Sequence, residues 1–486
     1  MMYLGIDLGT SAVKLLLLEK NGKIIKTVSK EYGVNYLNGN WAEQNPEEWW
    51  NSVCNGLEDI LDKKSRSELE SISFSGQMHG LVILDEDDNV IRPAIIWCDQ
   101  RTEKECEELN SLPWLGKITG NQALTGFTAP KILWIKNNEF KNFQKIRKIM
   151  LPKDYIAYKL SKIHGIDVSD ASGTLMLNVL ERKWAKEMIE YLGIREENLG
   201  KVFESMEVIG NIDKEVAKSF GINENVKIVI GGGDQAVGAV GVGAIKEGII
   251  SVALGTSGVV FSSTDKYRAD KDYRLHSFCD ANGKYHQMGV MLSAAGAFKW
   301  WVEDVNESKD YKYYNEIAEK IEAGSKGLFF MPYLIGERTP HNDSNIRGSF
   351  IGLTHNHKKG EMTRAVLEGV AFALRDSFEL LKEMDIKIEK IRVSGGGARS
   401  RLWKQILADV LGKTVVSIDS AAEGPALGAA ILAAVGAKRY KSIEEACKEI
   451  INEVEICEPN LENMIIYNRE YKKFKNLYPM LREFYL

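Results

Sequence analysis

The chain lacks the marks of several protein classes. Its six cysteines (Cys54, Cys98, Cys106, Cys279, Cys447 and Cys457) are scattered, with no Cys-x-x-Cys pair. That argues against a disulfide framework and fits reduced thiols in a cytoplasm. No long apolar run occurs; residues 15–18 are apolar but far too few to span a bilayer. The opening Tyr3-Leu4-Gly5-Ile6-Asp7 has no basic stretch or cleavage-like site, so a secretory signal is not expected and a cytoplasmic location is. A net charge of −5 and a pI near 6.0 give no electrostatic case for nucleic acid or an anionic membrane. Low-complexity stretches and flexible Pro/Ser linkers are absent. Two nucleotide motifs are missing as well. The Walker A ending Gly412-Lys413-Thr414 has Leu407 where glycine is needed, and the dinucleotide spacing that begins at Gly395 fails at Ser400.

What is present is a repeat. Leu-Gly-Thr-Ser occurs at residues 8–11 and again at 254–257, about half a chain length apart. Each copy sits between two apolar runs, 2–7 and 12–18, then 249–253 and 258–261. Strand, small polar turn and strand predict a β-hairpin whose glycine tip lets backbone N–H groups approach an anion. Gly9, Thr10, Ser11, Gly255 and Thr256 are therefore candidate phosphate contacts. Two such tips facing each other would hold a polyphosphate. Each half also runs a strand into three glycines, 226–230 into Gly231-Gly232-Gly233 and 388–393 into Gly395-Gly396-Gly397. Duplication explains this order, and at 486 residues two domains are expected, cut near 245/246.

Single residues stand out against that frame. Asp7 ends the first strand beside the first tip, where a carboxylate needs a cation or a donor; it is the candidate Mg²⁺ anchor. Asp234 follows three glycines and precedes a helix rich in small residues. A plain N-cap and a catalytic base are equally open from spacing alone, and the helix dipole is expected to favour its ionised form. Gln77-Met78-His79 follows a strand and offers donors, acceptors and an apolar wall for a sugar, with Trp97, Asp99 and Arg101 ending another strand. Gly396, Gly397 and Ser400 suit a bare shelf under adenine and ribose. The remaining histidines form no metal-ligand motif.

The chain resembles the FGGY carbohydrate kinase family over nearly its whole length. Gly-Phe-Thr-Ala-Pro-Lys-Ile-Leu-Trp-Ile-Lys-Asn-Asn at 126–138 is similar to that family's first signature. Gly-Ser-Phe-Ile-Gly-Leu at 348–353, with Glu-Met-Thr-Arg-Ala-Val-Leu-Glu at 361–368, is similar to the second. Gly-Gln-Met-His-Gly at 76–80, Leu-Pro-Lys-Asp-Tyr at 151–155, Asp-Ala-Ser-Gly-Thr at 170–174 and Gly-Glu-Arg-Thr-Pro-His at 336–341 add to it.

The resemblance implies an α/β protein of two ribonuclease H-like (actin/hexokinase-type) domains, 1–245 with the sugar site and 246–486 with the nucleotide site, closing over ATP, Mg²⁺ and a sugar. By motif it makes Asp234 the catalytic base and Met78 and His79 the substrate pair. Gln77, Trp97, Asp99 and Gln235 line the sugar pocket, while Asp7, Thr10, Ser11, Lys14 and Thr256 face the phosphates. The implied acceptor is D-xylulose, with glycerol, ribulose, L-xylulose or gluconate as alternatives. Gln235 stands where many family members acting on D-xylulose carry Asn, which blurs that choice. A homodimer is a family expectation. The competing class is an actin-like or chaperone-type ATPase, which shares the twin hairpins but leaves the sugar-loop residues without a purpose.

Overall fold

The computed structural model describes residues 1–485, which form two compact units. The first joins Met1–Ile245 to Ser277–His286 and Glu423–Ile451; the second comprises Lys246–His276, Gln287–Ala422 and the residues from Asn452 on. The chain thus passes between units more often than a single cut at 245/246 anticipates.

In the first unit β1 (Met2–Leu8), β2 (Ala12–Glu19) and β3 (Ile24–Glu31) form an antiparallel meander, and β4 (Leu69–Gly76) and β5 (Lys227–Val229) extend it in parallel, in the order β5-β4-β1-β2-β3. Helix α1 (Pro46–Ile60) starts as its sequence demands, with Pro46 in the first turn and the Asn45 side chain accepting from the Glu47 amide at 3.1 Å. It buries Trp49, Val53 and Leu57 in a core shared with Leu4, Ile6, Leu15, Leu17 and Phe74. Register does the functional work here. Asp7 pairs with Lys14 on β2 and with Ser75 on β4, so the three side chains share one face. Gly232 and Gly233 pair in turn with Ser75 and Gly76, which brings the residue after them, Asp234, to the same end of the sheet. The short buried helices α2 (Pro152–Ser161) and α3 (Val168–Gly173) complete this end, and α4 (Asp234–Gly241) leads away from it.

The second unit repeats the plan around its own core. The hairpin β6 (Gly248–Leu254) and β7 (Gly258–Thr264) is joined in parallel by β8 (Ile388–Ser394), followed by β9 (Thr414–Ile418) and antiparallel β10 (Glu453–Cys457). Helix α5 (Ala295–Lys299) continues as a wider π turn over Trp300–Val305, where the sequence predicts one helix over 292–304. Helices α6 (Tyr311–Glu319), α7 (Lys359–Glu383) and α8 (Arg401–Leu411) follow, α7 burying Val366, Val370, Leu374 and Phe378. Both units therefore carry the ribonuclease H-like order implied by the family resemblance, each with a triple glycine after a parallel strand. A strand predicted over 90–97 shrinks to Ala94–Ile95, because Pro93 supplies no ladder N–H.

Helix α9 (Gly424–Gly436) belongs to the first unit, although it lies late in the chain. Its glycines and alanines let backbones touch. A Cβ on Gly428 would lie 1.9 Å from the Val237 carbonyl oxygen of α4, and one on Gly5 of β1 would lie 2.1 Å from the Ala426 oxygen. This non-local packing is why Glu423–Ile451 groups with the first unit.

Candidate active site

The first hairpin tip is closed by the Gly9 amide donating to the Ala12 carbonyl at 3.0 Å. Thr10 is held from two sides. Trp97 Nε1 donates to Thr10 Oγ1 at 2.9 Å, and Gln44 Nε2 donates to the Thr10 carbonyl at 2.7 Å. Gln77 Nε2 donates to Gln44 Oε1 at 2.8 Å, so the sugar-loop residue and the tip belong to one hydrogen-bonded chain. Trp97 thus braces the tip through its indole N–H, a role its position at a strand end did not disclose. Gln44 and Ser75 sit in no motif; only the alternation of their strands hints at them. Ser11 is exposed at the tip, and Lys14 Nζ lies 3.4 Å from Glu423 Oε2, with Asp7 across the register.

Asp7 and Asp234 are interacting carboxylates at the same end of the first sheet. Asp234 is the first residue of α4, whose N-cap is Gly233, and no side chain caps that helix. The carboxylate is therefore not used up as an N-cap. Its pKa is pushed up to about 7, first by burial and then by the Asp7 carboxylate, against the opposing Gln235 side chain and amide. The sequence-based expectation that the helix dipole favours the ionised form is thus corrected: lost hydration and a neighbouring like charge outweigh the dipole. Asp7 is raised to about 6, again chiefly by burial, with the Ser75 hydroxyl and the Lys14 ammonium pulling it down. Its Oδ1 is buried without a hydrogen-bond partner. Two adjacent carboxylates, one with an orphaned oxygen, suit a hard divalent cation that takes its other ligands from water and phosphate. No group of three or more His, Cys, Asp or Glu among the described residues could hold a metal by itself.

The sugar loop is ordered by its backbone. His79 adopts a left-handed conformation (φ 69°). Its Nδ1 donates to the Gly173 carbonyl at 2.7 Å. Its own carbonyl accepts from Thr128 Oγ1 at 3.0 Å and from Lys131 Nζ at 2.9 Å. Lys131 is fully buried and its pKa falls to about 7 for that reason. Met78 packs under the triple glycine, where a Cβ on Gly233 would lie 2.9 Å from its Sδ.

Asp99 is held by protein donors on both oxygens. Its Oδ2 accepts from the Ala42 amide at 2.6 Å and from Arg101 Nη2 at 2.7 Å, and its Oδ1 accepts from the Arg101 amide and Nε at 2.9 Å each. With both oxygens occupied and no exposed surface, Asp99 anchors Arg101.

The second unit contains a cavity of about 860 Å³, lined by Gly255, Thr256, Gly396, Gly397 and Ser400 together with Asn315, Phe298 and Trp403. Its size and mixed lining fall in the range of small-ligand pockets. Gly396 faces open space, and a Cβ there would meet nothing. Ser400 lines the cavity, but its hydroxyl is the N-cap of α8, accepting from the Trp403 amide at 3.1 Å and contacting Asn315 Oδ1. Ser400 therefore has a structural role as a cap in addition to its place in the cavity lining.

Comparison with known proteins supplies the context. Residues 2–241 match the N-terminal domain of the FGGY family of carbohydrate kinases, and residues 250–437 match its C-terminal domain. The chain is 38% identical to the xylulose kinase of Escherichia coli over 482 residues, 99% of either chain. The solved structure of a "xyloylose kinase" from Brucella ovis is similar with a TM-score of 0.95 at 36% identity, covering 100% of both chains. A gluconate kinase structure from Lactobacillus acidophilus is similar at 29% identity with a TM-score of 0.93, covering 99% of this chain and 98% of that one.

Proposed function

The chain belongs to the FGGY family of carbohydrate kinases, and from that premise we propose that it transfers the γ-phosphoryl group of ATP to D-xylulose, giving ADP and D-xylulose 5-phosphate. The observation that carries the chemical reading is Asp234: uncapped, half-buried, beside Asp7, with a pKa near 7. A carboxylate poised there accepts the proton of a sugar hydroxyl at neutral pH. As that O–H bond breaks, the oxygen attacks the γ-phosphorus, and the bond to the bridging oxygen of the leaving ADP breaks in turn. Such transfer is mainly positioning and charge stabilisation, so a modest base suffices.

The other residues fall into place around that step. His79 and Gln77 address sugar hydroxyls, Trp97 and Gln44 hold Thr10 toward the phosphates, and the cavity of the second unit takes adenine and ribose. Asp7 would hold Mg²⁺, which supplies charge neutralisation of the phosphates when bound. On the same reading the enzyme is cytoplasmic and a homodimer, with no nucleic-acid or membrane partner. The test is a coupled assay of ADP release over D-xylulose, L-xylulose, D-ribulose, glycerol and gluconate. D-xylulose should give the highest kcat/KM; a higher value with gluconate or any other member of the panel overturns the assignment. ATP hydrolysis indifferent to all five would favour an ATPase of the actin or chaperone kind.

A further inference from the structure

The Asp-Ala-Ser-Gly-Thr stretch at 170–174 and the neighbouring Lys153 have no part in the reaction as proposed, yet they form a buried ionic cluster directly behind it. Lys153 Nζ touches Asp154 Oδ1 and lies 3.1 Å from Asp167 Oδ1 and 3.3 Å from Asp170 Oδ2. All four side chains are essentially without solvent contact. Such a cluster gives little net stability, because desolvation offsets the attraction. Burial drives the Asp170 pKa well up against the pull of the Lys153 ammonium, which the three carboxylates share.

Asp167 carries the contact onward. Its Oδ2 accepts from Ser169 Oγ at 2.5 Å, from the Ser169 amide at 2.8 Å and from Ser205 Oγ at 2.8 Å. With its hydroxyl hydrogen committed to Asp167, Ser169 turns a lone pair to the Gly233 amide, which donates to it at 3.0 Å. Gly233 is the N-cap of α4, and the next residue is Asp234. The approach is close enough that a Cβ on Gly232 would lie 2.8 Å from Ser169 Oγ. The far end of the same short helix, at Gly173, accepts from His79 Nδ1. One buried helix therefore holds the residue before the proposed base at one end and the proposed sugar-loop histidine at the other.

We infer that Ser169 is a positioning residue for Asp234, with Lys153 and Asp167 fixing its hydroxyl so that the Gly233 amide, and with it the start of α4, is set for proton transfer. The inference rests on Asp234 being the base. Displacement of a reacting group by a fraction of an ångström to one ångström reduces turnover by about 10²-fold at most.

The experiment compares the full-length protein with Ser169→Ala and Ser169→Thr, the latter keeping the hydroxyl. For folded Ser169→Ala, kcat with D-xylulose should fall about tenfold or more, while KM for D-xylulose and for ATP stays within about threefold. Ser169→Thr should recover most of the loss. A merely structural role would lower the folded fraction and leave kcat per folded molecule unchanged, and that result overturns the inference, as does a loss confined to KM. Should Ser169→Ala not fold, hydrogen exchange at the Gly233 amide of the unaltered protein decides: strong protection supports the bond to Ser169, and exchange at the rate of an open loop overturns it. An unaltered protein that phosphorylates no ketose overturns the reading of Asp234, and this inference with it; an active unaltered protein with an equally fast Ser169→Ala overturns only the inference.

Discussion

Asp234 and Asp7 interact: burial raises the pKa of Asp234, and the Asp7 carboxylate raises it further, to about 7. A base of this kind takes a proton readily but is half occupied by one at neutral pH. The charged group that acts on it is Asp7 on β1, which is itself paired in register with Lys14 on β2.

The acid limb of the pH profile should report that pKa. Protonated Asp234 cannot accept the hydroxyl proton, so kcat/KM for the sugar should fall about tenfold per pH unit below about 7. Measurement over pH 5 to 9 at saturating ATP checks it. A flat profile down to pH about 5 contradicts the assignment, since the ordinary range of an aspartate is lower.

Asp234→Asn should separate activity from stability. Loss of the base should lower kcat by about 10²–10⁴-fold with sugar and ATP still bound. Because the folded-state pKa lies above the ordinary aspartate value, folding favours the protonated form. Stability is therefore lost as pH rises from about 4 to about 7. The neutral amide removes that loss, so the variant should gain about 1–2 kcal/mol at pH 8 and little at pH 4. Denaturant titration at both pH values reads this out.

Trp97→Phe keeps the aromatic surface and removes only the donor to Thr10 Oγ1. One neutral hydrogen bond contributes about 0.5–1.5 kcal/mol, so kcat/KM should fall about three- to tenfold. If Trp97 were only a face for the sugar, ATP kinetics would stay as they were.

Ser400→Ala distinguishes a cap from a ligand contact. Loss of the hydrogen bond to the Trp403 amide should lower stability by about 1 kcal/mol, with KM for ATP changed less than about threefold. A tenfold rise in KM at unaltered stability would show a direct nucleotide role.

Gly428→Ala tests the packing of α9. The added carbon would meet the Val237 carbonyl at 1.9 Å, and neither backbone has room to yield. The expected loss exceeds about 3 kcal/mol, visible as a large drop in thermal midpoint or in soluble yield.

Much of the scaffold was legible in the sequence because its signals are local. The twin Gly-Thr-Ser tips, the strand over Thr414–Ile418, the start of α1 at Asn45-Pro46 and both triple glycines follow from alternation, turn residues and caps within a few positions. The roles of individual polar residues were less legible. Asp99 and Ser400 are residue types that suit sugar and nucleotide binding, and only the structure shows that each also has a protein partner, Arg101 and the Trp403 amide. Gln44 and Ser169 carry no motif, since what singles them out is a partner far along the chain.

By itself the sequence determined the duplicated architecture, because hydrophobic period and turn chemistry are written over a few adjacent residues. Its long signatures also established the resemblance to a kinase family. Only the tertiary structure decided which polar groups remain available for chemistry, how far Asp234 is shifted, and that Glu423–Ile451 packs with the first unit. Those outcomes depend on burial and on the approach of segments hundreds of residues apart, and desolvation and Coulomb repulsion act through space, whatever the order of the chain.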